Sequence, residues 1–425
     1  MGARRAILAT KNMTATSARE LPLRPDSSRP RDFRLYWLAG GINLLGSQAS
    51  GLVLPLVALA VSGSPTSAGL VGGLGLAGRL VAAPAAGVLA DRLPRKAMMV
   101  TALLVAAGAM ATVAGTLAAD AVTLGILAGA AFVEGVAQAG YESAGAGAIR
   151  RVLPPDDQRA LARLEARNHA MQIAGPLLGG ALFQLARWAP FLADVVSYLV
   201  AASCVAAIRT DLNPQRTDRN SFLADLRTGL RFVWEHPFLR FVTIWAAGIN
   251  FVFGALIYHT ILVAGGRGDL PVSVGLILTI ASVGGLVGAL SAPRVLRHLR
   301  PVVAIPIASW ATVGLVAALC VARQPWSYGL LFGLVFLLTP MVAIVFQSRA
   351  ITITPDHLQG RVATVIGTTG EALRVLAPVL AGALVARYHP GAVALIFAAV
   401  LAMLAAYATT NVWKLRTGTA PAKED

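Results

Sequence analysis

Five ionisable residues stand inside stretches that are otherwise apolar: Arg79, Glu134, Glu142, Glu371 and Arg374. A charge at the centre of a bilayer costs about 3 kcal/mol or more, so such residues pair, face water or do chemistry. A mid-membrane carboxylate without a fixed partner can take up and release a proton, or bind a cationic substrate. Glu134 is the first candidate for that work. Glu142, two turns on, is the second, and Glu371 the third. Arg79 and Arg374 are their candidate ion-pair partners, with Arg374 one turn from Glu371 on the same face. The sequence G-x-x-x-x-G-K-[ST] is absent, so no phosphate-cradling loop supplies ATP energy. No nucleophile–base pair or metal-ligand spacing appears, and Cys204 and Cys320 read as packing residues. The chain is therefore expected to be no enzyme and to need no cofactor or metal.

The elements that must hold these groups are membrane spans. Of 425 residues, 56% are hydrophobic and only 13% charged, where a soluble protein carries about 25% charge. Twelve apolar segments of roughly 20 residues centre near positions 48, 78, 108, 134, 178, 199, 251, 283, 312, 338, 374 and 400. The expected fold is an all-α polytopic bundle. The net charge of +16 is distributed as a topology signal. With the amino terminus inside, thirty of the 36 Lys and Arg fall in tails and inner loops. Four fall outside, at Arg187, Arg267, Arg323 and Arg387. This positive-inside bias predicts cytoplasmic termini in a cell membrane and argues against nucleic-acid binding.

Residues 1–34 are basic, lack a signal peptide's apolar core and read as a disordered tail, with Met13 a second candidate start. Residues 35–209 form one six-span half and 238–412 the other, with a cytoplasmic tail at 413–425. Between them, 210–237 is a linker. Phe222, Leu223, Leu226, Leu230 and Val233 recur there at helical spacing behind a Ser221 N-cap, the pattern of an amphipathic helix on the inner membrane face. Arg159, Arg163 and Arg167, four apart, predict a short interfacial helix before the fifth span. The halves repeat. Ser67-Ala-Gly69-Leu70 matches Ser273-Val-Gly275-Leu276, and Gly175-Pro176 to Leu182 matches Ala377-Pro378 to Leu384. Two parallel repeats place a substrate site between the halves near the midplane.

Two motifs punctuate the first half. Gly87-Val-Leu-Ala-Asp91-Arg92-Leu-Pro-Arg95-Lys96 is a charged loop between the second and third spans. Gly87 and Ala90 would let helices approach, Asp91 would accept hydrogen bonds, and Arg92, Arg95 and Lys96 would hold the loop at headgroup level. Gly175-Pro176-Leu-Leu-Gly179-Gly180 is a bent, thin-faced segment of the fifth span. Here the chain resembles the major facilitator superfamily. The first stretch is similar to its signature motif A, with Pro94 in place of a glycine. The second is similar to its antiporter motif, with Met171 in place of the first glycine. The resemblance runs from about Arg31 to Leu404 and is nearest to the secretion-effector or siderophore- and macrolide-exporter branch.

That resemblance implies further expectations. Asp91 would be an inner-side latch toward the eleventh span near Arg361, or toward Arg150. The second and eleventh spans would face each other across the halves. Arg79 lies about 18 Å from the inner surface and Glu371 about 15 Å, at 1.5 Å per residue, so the two would pair, with Arg374 competing. The fourth span would line the cavity with Glu134, Gln138, Tyr141 and Glu142. Asn43 and Gln48, and Asn250, Tyr258 and His259, are weaker cavity candidates; Asp194 reads as structural, on a lipid-facing span. The expected function is proton-coupled export of a small amphipathic organic compound, such as a drug, antibiotic or siderophore, by alternating access. Its partners would be that compound, a proton and the bilayer, with a monomer as the working unit. Uptake of a small metabolite is the alternative, and a non-transporting membrane sensor a further one.

Overall fold

The computed structural model describes residues 29–153, 158–213, 222–322, 324–355 and 358–411. Among these residues every regular element is a helix: α1 (Arg29–Ser62), α2 (Pro65–Arg92), α3 (Arg95–Ala118), α4 (Leu124–Val152), α5 (Gln158–Leu185), α6 (Ala189–Ala206) and α7 (Phe222–Glu235), then α8 (Pro237–Gly266), α9 (Pro271–His298), α10 (Pro301–Ala318), α11 (Pro325–Ile353), α12 (Gln359–Arg374), α13 (Leu376–Arg387) and α14 (Pro390–Asn411). Eleven spans are long and apolar enough to cross a bilayer, α12 and α13 together making one of them. The twelfth is α5, whose opening turns carry Arg159, Arg163, Glu165 and Arg167. The expected short interfacial helix does not exist separately. It is the first part of α5, fastened to α1 where Arg167 donates to the Trp37 carbonyl at 2.8 Å and the Trp37 indole to the Arg163 carbonyl at 3.2 Å.

Prolines set several boundaries. Pro65, Pro237, Pro271, Pro301 and Pro325 open their helices, where the missing N–H costs nothing. Pro378 acts differently: it cannot donate to the Arg374 carbonyl four residues back, and the eleventh span is divided at Val375, whose own backbone stays helical, into α12 and α13. The two halves follow from packing. Helices α1 to α6 pack on one another around Leu103, Met110, Phe191 and Tyr198. Helices α8 to α14 do the same around Phe332, Phe397 and Leu401. The halves meet chiefly through α5 with α9 and α2 with α13. Helix α7 packs on α12, with its Gly229 against the Arg361 backbone and its Val233 buried. The linker is thus amphipathic as expected but docks on protein, and Ser221 lies outside the described residues.

Two faces of the bundle are distinguished by charge. The basic face is the one on which α1 begins and α2 ends at Arg92. On the opposite face the halves touch backbone to backbone. A Cβ on Gly69 would meet the Pro378 carbonyl, one on Gly180 the Pro271 carbonyl and one on Gly275 the Pro176 carbonyl. A Cβ on Gly87 would meet nothing within 4 Å, so the expected close approach there is absent. Helix α1 starts at Arg29, inside the segment expected to be disordered, and its Asp32 and Phe33 are buried. Asp32 accepts from the Arg209 and Thr210 amides at 3.0 and 2.7 Å, which ties α1 to the chain leaving α6.

Replacing Gly69 or Gly382 by Val should destabilise the closed opposite face by about 1–3 kcal/mol, the usual overpacking cost. Thermal unfolding of the purified protein measures this, with Gly87→Val as the control that should unfold as the parent does.

Candidate functional site

A cavity of about 370 Å³ lies between the halves, lined by α1, α2, α4 and α5 from one side and α8, α9, α11 and Arg374 from the other. Its polar wall belongs to the first half. Asn43, Ser47 and Gln48 come from α1, Arg79 from α2, and Glu134, Gln138 and Glu142 from α4. Its other wall is mostly apolar, with Tyr258, Ser282, Phe332 and Phe336. Small residues make the space. Gly75 and Gly135 bring the α2 and α4 backbones into contact, so Arg79 and Glu142 reach past them into the cavity.

Arg79 Nη2 lies 2.9 Å from Glu142 Oε2, each side chain about half exposed, at 46% and 48%. Arg374 Nη1 lies 3.2 Å from Glu371 Oε1, one turn away. The expected Arg79–Glu371 pair is not formed in this conformation. Each arginine is held by an acid of its own half.

Glu134 has no basic partner in contact. Its Oε1 accepts from the Tyr198 hydroxyl at 2.9 Å. Gln138 Nε2 donates to Tyr198 Oη at 3.1 Å, to Ser47 Oγ at 3.0 Å and to Asn43 Oδ1 at 3.3 Å. Ser47 Oγ and Tyr198 Oη are 3.3 Å apart. This polar cluster joins α1, α4 and α6 beneath the cavity wall.

Of the further cavity candidates, Asn43, Gln48, Gln138 and Tyr258 line the cavity. Tyr141 does not: it is buried in the core of the first half. Asn250 is exposed and donates to the Ala246 carbonyl. His259 lies toward the opposite face, between the Tyr328 hydroxyl at 2.9 Å and the Pro390 carbonyl at 3.1 Å. Asp194 is not turned to lipid. It is wholly buried against α1, accepting from Ser50 at 2.6 Å and Ser197 at 2.9 Å. Tyr198, Ser47 and Ser50 were not among the expected site residues, and Asp194 was expected only as a structural residue. The signal was Asp194-x-x-Ser197-Tyr198, three polar groups on one turn of an apolar helix, opposite Gly46, Ser47 and Ser50.

The two motifs also take definite places. Asp91 is 77% exposed and its ion pair is with Arg95 at 3.7 Å, rather than with Arg150 or the start of α12. Arg95 donates to the Gly147 and Leu212 carbonyls at 3.0 and 3.3 Å, and Lys96 to the Ile208 carbonyl at 2.8 Å. These two cations therefore cap backbone within the first half; they do not reach for headgroups, as Arg92, which is exposed, can. Gly175 and Gly179 press on α1 at Gln48 and Ala49, and Gly180 presses on α9. Pro176 frees the Gln172 carbonyl four residues back, and Ser282 of the other half donates to it at 3.3 Å.

Comparison with known proteins agrees with this architecture. The sequence profile of the Major Facilitator Superfamily matches residues 36–378. The multidrug efflux pump Tap of Mycolicibacterium fortuitum is 28% identical over 362 residues, 80% of this chain and 85% of that protein. A mutant of the nucleoside transporter NupG superposes with a TM-score of 0.73 at 12% identity, over 88% of this chain and 98% of that one. A bacterial homologue of the lysosomal transporter Spinster, inward-facing and unoccupied, gives 0.69 at 13% identity over 93% and 100%. An inward-facing bacterial homologue of ferroportin gives 0.67 at 16% over 88% and 98%.

A double-mutant cycle checks the charge assignment. Arg79→Ala with Glu142→Gln should show a coupling of about 0.5–1 kcal/mol in thermal unfolding, as a half-exposed pair allows. Arg79→Ala with Glu371→Gln should be additive.

Proposed function

The chain belongs to the Major Facilitator Superfamily, and is a multi-pass membrane transporter, not an enzyme; from that premise we propose that it exports a small amphipathic organic compound in exchange for protons. The observation that carries this reading is the composition of the cavity. One wall offers carboxylates and amides beside Arg79; the other offers Tyr258, Phe332 and Phe336 beside Arg374. Such a surface suits a compound with an apolar or aromatic body and a basic or hydrogen-bonding group. The likeness to a multidrug efflux pump over most of both chains supports the same substrate class and direction.

The basic face is taken as cytoplasmic, following the Lys and Arg bias. The cavity then opens toward the cytoplasm, since the close contacts between halves lie on the opposite face. In this state the compound enters from the cytoplasm or inner leaflet. A cationic group on it competes with a proton for Glu134, the carboxylate with no basic partner in contact. Glu142 and Glu371 tune entry through their arginines. Reorientation must separate Gly69 from Pro378 and Gly180 from Pro271, and close the basic face, where Asp91 and the start of α12 would come together. After release, protonation of Glu134 from outside removes its buried charge and lets the empty carrier return. A monomer holds every group this cycle uses, and the plasma membrane supplies the gradient.

Everted vesicles energised with a proton gradient and loaded with ethidium and other cationic dyes test the proposal. Dye should accumulate on energisation and leave when an uncoupler is added. Glu134→Gln should reduce accumulation at least about tenfold and flatten its pH dependence, a loss of roughly 1.4 kcal/mol of coupling. Energised uptake that persists undiminished in Glu134→Gln would refute the role given to that residue, and no energised movement of any cationic dye would refute export of this class.

A further inference from the structure

The charges that line the cavity are divided unequally between its walls. The first half contributes two acids and one cation, Glu134, Glu142 and Arg79. The second half contributes Arg374 and, among the described residues, no acid: Glu371, its ion-pair partner, is not one of the lining residues. A bound compound therefore meets carboxylates on one side and a guanidinium set beside aromatic rings on the other.

Arg374 is the last residue of α12. Its stem runs across Gly254 of α8, where a Cβ would stand 3.3 Å from Arg374 Cγ and 3.9 Å from its Nε. The glycine leaves room for the side chain to lie along α8. Among the described residues Arg374 makes one side-chain hydrogen bond, from Nη1 to Glu371 Oε1 at 3.2 Å. A guanidinium has five N–H donors in a planar fork, the shape that grips a carboxylate. The Arg374 side chain is 39% exposed and that of Glu371 48%, so their contact is weak and open to exchange. Arg79 differs. Its bond to Glu142 is shorter, at 2.9 Å, and an acidic group arriving there would meet Glu142 and Glu134 as well. Beside Arg374 the aromatic wall is held in place: Phe253 of α8 stacks on Phe336 of α11 at 5.4 Å and 25°, and Phe332 lies 5.4 Å from Phe336. Such rings offer a fixed apolar surface to a planar body.

We propose that the cavity prefers zwitterions: an aromatic body against Phe332 and Phe336, its basic group at Glu134 and its carboxylate on Arg374, where it takes the place of Glu371. The exchange is like for like. One carboxylate leaves the fork as another enters, so Arg374 is never left without an anion, and Glu371, already half exposed, goes to water. A compound with a base alone, such as ethidium, binds through Glu134 and leaves Arg374 with Glu371. The proton exchange at Glu134 is the same for both kinds of compound. Arg374 is thus a specificity-determining residue. It selects for an acid on a molecule that Glu134 selects for its base.

This inference rests on the proposed export of compounds that carry a basic group, and its test is a binding measurement that needs no gradient. Norfloxacin, a zwitterion at neutral pH, and its ethyl ester, a cation with the same ring system, are each titrated into the purified protein in lipid nanodiscs, with binding read by calorimetry. The parent should bind norfloxacin about fivefold tighter than the ester, the worth of one half-exposed ion pair. Arg374→Gln should abolish that preference by weakening norfloxacin. Glu371→Gln, which frees the fork and keeps Arg374, should tighten norfloxacin about fivefold and widen its margin over the ester. Thermal unfolding establishes that each variant is folded. A parent that binds the ester as tightly as norfloxacin, or that binds neither, would overturn the proposal. So would Glu371→Gln with norfloxacin binding unchanged or weakened, and so would both affinities changing alike in the two variants, which would mark the pair as structural. Absence of proton-driven dye movement with the norfloxacin preference intact would overturn the antiport reading alone.

Discussion

An uncompensated charge inside the hydrocarbon region is the constraint on which this structure turns. It explains why the ionisable residues of the spans are not scattered. Arg79 and Glu142 satisfy each other, as do Glu371 and Arg374. Among the described residues Glu134 and Asp194 have no cation in contact; Glu134 is held by Tyr198 and Asp194 by Ser50 of α1. The two paired sets sit in the gap between halves, where water reaches them. The acids without a cation in contact sit within one half. The ion-paired charges and these acids thus differ in location.

The same constraint governs the backbone. Proline frees carbonyls that must find donors in a medium without water. The carbonyl released by Pro176 meets Ser282, and the neighbouring Ile173 carbonyl meets Thr279 at 2.8 Å, both from the opposite half. The carbonyl released by Pro378 marks the joint between α12 and α13. These bends lie in α5 and in the eleventh span, which carry the main contacts between halves. The glycine-to-backbone contacts on the opposite face close one end of the cavity. Toward the basic face a Cβ on Gly87 would meet nothing within 4 Å.

Much of this was legible in the residues. The twelve spans, the repeat, the loop at Asp91 and the bend at Pro176 all rest on strong local signals: hydropathy, charge and proline. Arg79, Glu134, Glu142, Glu371 and Arg374 stood out because a charge in an apolar run is conspicuous. Their pairing was not legible. Depth along a helix placed Arg79 level with Glu371, but the partner depends on how far apart the halves stand, and depth carries no such information. Asp194 was misread because hydropathy does not report which side of α6 faces α1. The fit of Asp194 into the space left by Gly46 is a tertiary fact. Lys96 and Arg95 likewise looked like headgroup anchors until the end of α6 was seen to offer them carbonyls.

The central claim is that a proton and an organic cation compete for the first half of the transporter and move in opposite directions. Proteoliposomes with a trapped pH indicator, clamped at zero membrane potential and with no pH gradient imposed, address it directly. An ethidium gradient directed out of the lumen should drive protons inward, acidifying the lumen at a rate that saturates with dye, and Glu134→Gln should abolish it. Dye movement with no change in lumenal pH would contradict the account.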